Sequence, residues 1–395
     1  MRERFPPRTC PVCGDPRFKP LYRQSFEHFL AAGLLDGYDV VICRRCGAGY
    51  ADDIPPQAAF DDYYRDLSKY DEADRSPLEP SVPELRFQHI ADILETLIPQ
   101  RTSRIFEIGC ASGQLLSVLR ARGFESVLGC DPSPGCVRSA AEFYGVPAVV
   151  GTVFSAPQPE RPFDFLILGG VMEHIRDLDR AVAQLARLLS DGGRVYIEVP
   201  DASRYVWHAD APFQEFSTEH INFFSGQSLT NLMLLRGFRA LAVGHAIRPH
   251  HEIECPTVYG VFGKSATPAA LVPDTGTETG LSAYIEGCRK EHLRILARIE
   301  QSLAPGERMI VWGVGTHTLR LLAAGGLDPA RVVVFADSNP NYQNQQLRGV
   351  SVVPPDALKS HAEPILISSR GFQREIQDQI RHKLGLPNRL ILLYD

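Results

Sequence analysis

An α/β protein built on a seven-stranded, doubly wound sheet is predicted by three features of the 395-residue chain. Apolar strand-like runs alternate with helix-period segments between about residues 104 and 262, a glycine turn follows the first of those strands, and two Cys-x-x-Cys-Gly motifs precede them. The chain is too long for one ordinary domain and suits two or three, each burying its own core. The expected division is a metal-binding module at 1–75, the sheet domain at 76–265 and a second α/β unit at 266–395.

The first module rests on Cys10, Cys13 and Gly14, and on Cys43, Cys46 and Gly47. Two such knuckles supply four thiolates in the tetrahedral arrangement that Zn²⁺ prefers, and a closed set of four protein ligands is structural rather than catalytic. Each glycine relieves crowding where the turn points its amides at the sulfurs. A redox reading needs a single pair near a βαβ unit. Cys110, Cys130, Cys136, Cys255 and Cys288 show no pairing logic and read as reduced thiols. Next, Tyr63, Tyr64 and Tyr70 stand among charged residues, as an active-site flap or a docking surface would. From Pro83 the pattern turns helical, with Phe87, Ile90, Leu94 and Leu97 on one face.

Strands are expected at 104–108, 127–130, 148–150, 163–168, 194–199, 241–246 and 257–262. Helices fall between them at 114–122, at 134–144, through Leu178, Val182, Leu185 and Leu189 with a stop at Gly192 and Gly193, and at 228–236. Residues 264–280, rich in Ala, Thr, Pro and Gly, read as a linker before a long helix that turns Leu281, Ile285, Cys288, Leu296, Ile299 and Leu303 inward. The third part is Rossmann-like. A strand at 309–312 enters Gly313-Val314-Gly315, a second at 332–336 ends at Asp337, and strands at 365–367 and 390–394 close it.

The net charge of -6 argues against a broad nucleic-acid-binding face. The N-terminus has no apolar h-region, and no uncharged apolar run is long enough to span a bilayer. A cytoplasmic protein with a small-molecule substrate, and neither nucleic acid nor membrane as partner, is therefore expected.

Glu107-Ile108-Gly109-Cys110-Ala111-Ser112-Gly113, followed by Gly129-Cys130-Asp131-Pro132, reads as a strand, a glycine turn and a second strand ending in a carboxylate. That arrangement suits an adenosine-type ligand, with backbone close to it and Asp131 able to accept both ribose hydroxyls. A dinucleotide fingerprint would carry glycine at Ala111 and Gln114. The stretch instead resembles motif I of class I S-adenosylmethionine (SAM)-dependent methyltransferases, whose sheet has seven strands with the last reversed. The resemblance implies that Gly109, Ala111 and Gly113 pass the methionine portion of SAM, that Glu107 lies near its ammonium, and that Asp131 and Pro132 take the ribose. Thr152 and Val153 would flank the adenine, and Gly170 and His174 would line the sulfonium end. His174 can equally cap the next helix or bond within the core.

After the fifth strand comes Glu215-Phe216-Ser217-Thr218-Glu219-His220-Ile221-Asn222-Phe223-Phe224-Ser225, at the carboxyl edge of the sheet where open α/β folds bind ligands. A Glu-His pair among aromatics can place a base in a partly dry pocket, and a structural loop histidine is the other reading. Over nearly its whole length the chain resembles the sugar C-methyltransferases of deoxysugar biosynthesis, which act on nucleotide-linked 4-keto sugars. The resemblance carries catalytic roles onto Glu219, His220 and Tyr70, and makes the third unit a holder of the nucleotide sugar with Asp337 or Arg370 near it. Ser217 and Thr218 stand where that family often has a tyrosine. In this chemistry His220 removes the proton beside the ketone, Glu219 orients it, and Tyr70 holds the enolate oxygen. O-methylation of a sugar or related molecule, a non-catalytic nucleotide-sensing zinc-ribbon protein, and NAD at Asp337 stay open, as does a diphosphate contact at the cluster Arg248-Pro249-His250-His251.

Overall fold

A computed structural model describes residues 5–26, 29, 34–66, 82–157, 159–207, 210–250, 253–267 and 269–395. The cysteine-rich segment forms antiparallel strands β1 (Phe18–Ser25), β2 (Gly37–Cys43) and β3 (Gly49–Asp52). Helix α1 (Gln57–Asp66) carries Tyr63 and Tyr64 and buries Phe60. Tyr70 lies outside the described residues.

Helix α2 (Val82–Leu97) buries Ile90, Ala91 and Leu94, the face expected from its periodicity. The core then runs β4 (Ile105–Ile108), α3 (Gln114–Ala121), β5 (Val127–Asp131), α4 (Pro134–Tyr144), β6 (Ala148–Val150), β7 (Phe163–Gly169), α5 (Leu178–Leu188) and β8 (Leu189–Pro200). Strand β9 (Asn222–Phe223), α6 (Gly226–Leu234), β10 (Phe238–His250) and β11 (Ile253–Lys264) follow. The seven-stranded sheet has the order β10-β11-β8-β7-β4-β5-β6, parallel from β8 to β6, with β11 antiparallel to both neighbours. This is the class I methyltransferase arrangement. Alternation along β7 builds both faces: Phe165 and Ile167 pack with α2 and α3, while Leu166 and Leu168 pack with α5 and α6.

Two expectations are corrected here. Gly192 and Gly193 do not stop α5, which ends at Leu188; they lie inside β8, where the register against β7 shifts between Phe163 and Phe165. Such a bulge accommodates extra residues in one strand, so the glycines serve the sheet. The last two strands also extend well beyond the expected 241–246 and 257–262, forming one long hairpin.

Helix α7 (Gly276–Gln301) joins the parts. Its first half packs Leu281, Tyr284, Ile285 and Cys288 against Tyr38, Phe60, Phe213, Phe216 and Phe223, and its second half packs Ile295 and Ile299 against the third sheet. That sheet comprises β12 (Met309–Trp312), β13 (Val332–Ala336), β14 (Gln346–Leu347), β15 (Val350–Val353), β16 (Ile365–Ile367) and β17 (Leu390–Leu392), with helices α8 (Thr316–Ala323) and α9 (Gln373–Asp378). Its order is β14-β15-β13-β12-β16-β17, parallel except for β14. Among the described residues no helix is long and apolar enough to cross a membrane.

Strand β9 leaves the seven-stranded sheet and adds to the cysteine module, pairing Gly49 with Phe223 and Tyr50 with Asn222. The residues just after His220 are thereby fixed to the N-terminal module.

Candidate functional site

The glycine turn lies at the carboxyl end of β4, at the point in the sheet where chain order reverses. Gly109 (φ 77°) and Gly113 (φ 78°) are left-handed, and so is Ala111 (φ 45°). A side chain at Gly109 would also place its Cβ 2.5 Å from Val171 Cγ2. Asp131 ties the turn to β5: its Oδ2 accepts from the Ala111 amide at 2.9 Å and its Oδ1 from the Ser133 amide at 3.0 Å. Pro132 sits between those anchor points. Glu107 is buried, its Oε2 without a hydrogen-bond partner, and burial with the nearby Asp131 charge pushes its carboxyl up to about 8 against the pull of Arg86. The Thr152 amide donates to Ser155 Oγ at 2.9 Å, and Val153 belongs to the core.

Gly170 (φ 70°) opens the loop after β7, and its amide donates to the Glu198 carbonyl at 2.9 Å. Glu173 and His174 follow in a short 3-10 turn. Glu173 is buried, its carboxyl pushed up to about 8 by that burial, and its Oε2 has no hydrogen-bond partner. His174 Nδ1 lies 2.9 Å from Tyr64 Oη and 3.0 Å from the Glu219 carbonyl, and its ring meets that of His220 edge-on at 5.0 Å.

His220 Nδ1 lies 3.7 Å from Glu215 Oε2. Glu215 faces the imidazole at this distance, and Glu219, expected to orient His220, has its Oε1 accepting from Tyr63 Oη at 3.0 Å. Glu215 reaches His220 through a turn in which Ser217 Oγ accepts from the Glu219 and His220 amides. The phenols of Tyr63 and Tyr64 thus reach the edge at which Ser217 and Thr218 offer none. Phe216, Phe223 and Phe224 around His220 are core residues.

Arg8 holds this loop. Its guanidinium, buried and with its pKa lowered to about 9 by desolvation, donates to the Ile221 carbonyl (3.2 Å), Asn222 Oδ1 (2.9 Å) and the Arg176 carbonyl (2.8 Å). Asn222 Nδ2 in turn donates to the Met172 and Ile175 carbonyls at 2.9 and 2.7 Å. One arginine from the N-terminal arm therefore connects the segments bearing Glu173, His174 and His220. Sequence reasoning gave Arg8 and Asn222 no role, since neither belongs to a local pattern.

The sulfurs of Cys10, Cys13, Cys43 and Cys46 all lie within 4.8 Å of one another, and none is in a disulfide. The Arg45 and Cys46 amides point at Cys43 Sγ from 3.4 and 3.5 Å. Gly47 is needed twice over, by its φ of 78° and because a Cβ there would fall 1.8 Å from the Asp274 carbonyl oxygen. Four buried or half-buried thiols gathered around one point are a donor set that fits a tetrahedral soft-ligand ion.

In the third unit Asp337 repeats the anchoring seen at Asp131, accepting from the Val314 and Asn339 amides at 2.9 and 2.8 Å. Arg370 stacks over Tyr394 at 5.0 Å and lines a cavity of about 190 Å³ with Asp210, Tyr205, Tyr284 and Glu291. Asp337 does not line it. Arg248 is buried and committed to Glu198, with Nε and Nη2 at 2.9 and 2.6 Å from its carboxylate, which removes it as a diphosphate contact.

Residues 83–243 match the family model described as "Methyltransferase domain". Trans-aconitate 2-methyltransferase of Methylobacterium nodulans is 29% identical over 117 residues, covering 29% of this chain and 45% of that protein. Ubiquinone biosynthesis O-methyltransferase of Rhizobium etli is 32% identical over 104 residues, 25% of this chain and 42% of that protein. The chain spans less than half the length of these two relatives. Among solved structures, 1,6-didemethyltoxoflavin-N1-methyltransferase of Burkholderia thailandensis aligns with 57% of this chain and 97% of its own at 16% identity and a TM-score of 0.39. Residues 83–243 are a methyltransferase domain of the SAM-dependent kind.

Proposed function

We propose that the chain transfers a methyl group from SAM to the carbon beside the ketone of a nucleotide-linked keto-deoxysugar. The observation that carries this reading is the His220–Glu215 pair, set against His174 and Glu173 on loops at the carboxyl edge of the methyltransferase sheet. SAM supplies an electrophilic methyl carbon. Glu107 is the counterion for its ammonium, and a buried carboxylate oxygen lacking a partner fits that role. Asp131 accepts from the ribose while keeping the glycine turn in place.

With Nδ1 toward Glu215, His220 presents Nε2 to the substrate carbon and takes its proton, leaving the electron pair shared between that carbon and the ketone oxygen. Glu215 stabilises the imidazolium so formed. Phenols hold the enolate oxygen: Tyr64, at this edge beside His174, and Tyr70, to which the family resemblance alone gives that role. The carbon then attacks the methyl group in line, where positioning supplies much of the acceleration. Zn²⁺ held by Cys10, Cys13, Cys43 and Cys46 is the structural metal, and the third unit contributes to the nucleotide-sugar site through Arg370 or Asp337. The test is mass spectrometry of products from a panel of nucleotide sugars incubated with methyl-labelled SAM, with fragmentation locating the label on carbon. The identity with an O-methyltransferase of ubiquinone biosynthesis favours a second reading, methylation of a hydroxyl, and label recovered in a methyl ether selects it.

Two consequences concern SAM. Asp131→Ala removes an acceptor and frees the Ala111 and Ser133 amides, so binding weakens by about 1.5–3 kcal/mol for a hydrogen bond to a charged group. Calorimetry checks this, and unchanged affinity places the ribose elsewhere. Glu107 makes binding depend on pH. Its carboxyl holds a proton below about 8 in the free protein and must lose it to pair with an ammonium, so affinity rises with pH up to about 8 and then levels. Proton release on binding, measured in buffers of different ionisation enthalpy, is expected for the natural protein and absent in Glu107→Gln.

A further inference from the structure

We propose that Glu173, His174 and His220 form a second metal site, one that takes a divalent transition ion and, when filled, withdraws the base from the reaction. One ligand atom from each residue lies within 4.8 Å of the other two, and His174 Nε2 is already 3.7 Å from Glu173 Oε1. Ligands of a bound Zn²⁺ stand at about 2.0–2.1 Å from the ion, so small side-chain rotations close the set.

Three further observations make the cluster a ligand set rather than a chance meeting. Glu173 is only 3% exposed and its Oε2 has no hydrogen-bond partner among the described residues, so the buried carboxylate retains an oxygen that a cation would satisfy. Arg86 acts on Glu173 through its charge but donates no hydrogen bond to it. His174 Nδ1 lies 3.0 Å from the Glu219 carbonyl, which can only accept, and 2.9 Å from the Tyr64 hydroxyl, which can do either; the carbonyl favours the tautomer with its proton on Nδ1 and its lone pair at Nε2, on the Glu173 side. Metal-bound histidines are commonly oriented by such an outer bond. Finally, the two segments are pinned together, with the Ile221 amide donating to the Glu173 carbonyl at 2.9 Å and Asn222 bridging Met172 and Ile175. The ligands therefore need little ordering when an ion arrives.

Two imidazoles and one carboxylate suit Zn²⁺, Co²⁺ or Ni²⁺ better than Mg²⁺ or Ca²⁺, which prefer all-oxygen sets. The site differs from the four-cysteine cluster in donor type, and that difference makes it measurable. Three protein ligands leave positions open toward the substrate edge. The loss of activity rests on the reading of His220 as base; the ion binding does not.

Co²⁺ is added to the full chain with its cysteine cluster filled by Zn²⁺, and visible absorption is followed. One equivalent is expected to bind with ligand-field bands but without the intense near-ultraviolet thiolate bands of cobalt at cysteine. Methyl transfer falls in step with occupancy. His174→Ala, and separately the shape-conserving Glu173→Gln, should weaken Co²⁺ binding at least ~10-fold, as loss of even an outer-shell partner commonly does. No ligand-field band, or a band unchanged in both variants, overturns the site. If the bands form and vanish as expected while turnover is undiminished at full occupancy, the inhibitory role falls and the metal site stands; His220→Asn with full turnover removes the base reading alone.

Discussion

His220→Ala or His220→Asn lowers turnover by about 10²–10⁴, the range lost with a positioned acid or base, while leaving the fold and SAM binding intact. His220 is partly exposed, and its Nδ1 faces the Glu215 carboxylate 3.7 Å away. Its side chain therefore carries little of the core, to which Phe216, Phe223 and Phe224 of the same stretch belong. Most of the attributed SAM contacts lie on β4, β5 and the loops that follow them; His174, whose ring meets that of His220 at 5.0 Å, keeps its own bonds to Tyr64 and the Glu219 carbonyl. Glu215→Gln should behave as a milder form of the same defect, because an amide keeps the shape but cannot stabilise an imidazolium. Single-turnover kinetics with SAM calorimetry on the same samples make the comparison. Full activity in both His220 variants would make His220 a structural loop residue.

Cys43→Ser, or removal of the metal from the four-cysteine cluster, is expected to abolish methyl transfer although the cluster's thiols are turned to one another. The cluster fixes the module whose strand β3 pairs with β9, and whose Arg8 binds Ile221 and Asn222 directly after His220. Structural zinc contributes about 10–16 kcal/mol of apparent binding free energy in zinc-finger peptides, more than the stability of a small module alone. Arg8→Ala tests the connection without touching the cluster. It leaves the Arg176 carbonyl and Asn222 Oδ1 short of a donor, at about 1–3 kcal/mol for each buried group left unsatisfied, while the Ile221 carbonyl keeps the Ala51 amide. One zinc per chain by metal analysis, and turnover that tracks zinc content, are the expected results. Undiminished turnover in zinc-free protein would separate the module from the site.

The parts of this architecture with a period were legible in the sequence. Strands β4, β5, β7 and β12 and helices α4 and α5 fall close to where apolar spacing and caps place them, since each has enough residues to show its period. Strand β9 has two residues and β14 has two, too few for any alternation to register. Gly192 and Gly193 read as a helix stop because a glycine pair after an apolar helix is the usual C-terminal signal, while a bulge inside β8 depends on a partner strand that sequence does not display. At the site, the glycine turn, Asp131 and the four cysteines are local patterns. The approach of Tyr63 and Tyr64 and the Arg8–Asn222 connection join distant segments that no local spacing encodes, and the pairing of His220 with Glu215 depends on how the loop between them turns.

Enolate formation is the step that separates this chemistry from methylation of a hydroxyl. It can be observed without methyl transfer: the protein is incubated in deuterated water with a nucleotide-linked 4-keto-deoxysugar and no SAM, and the proton on the carbon beside the ketone is followed by NMR. Exchange catalysed by the natural protein and lost in His220→Asn is the predicted result. Absence of exchange in the natural protein, with the methyl group recovered as an ether once SAM is supplied, would contradict C-methylation and leave His220 to act on a hydroxyl.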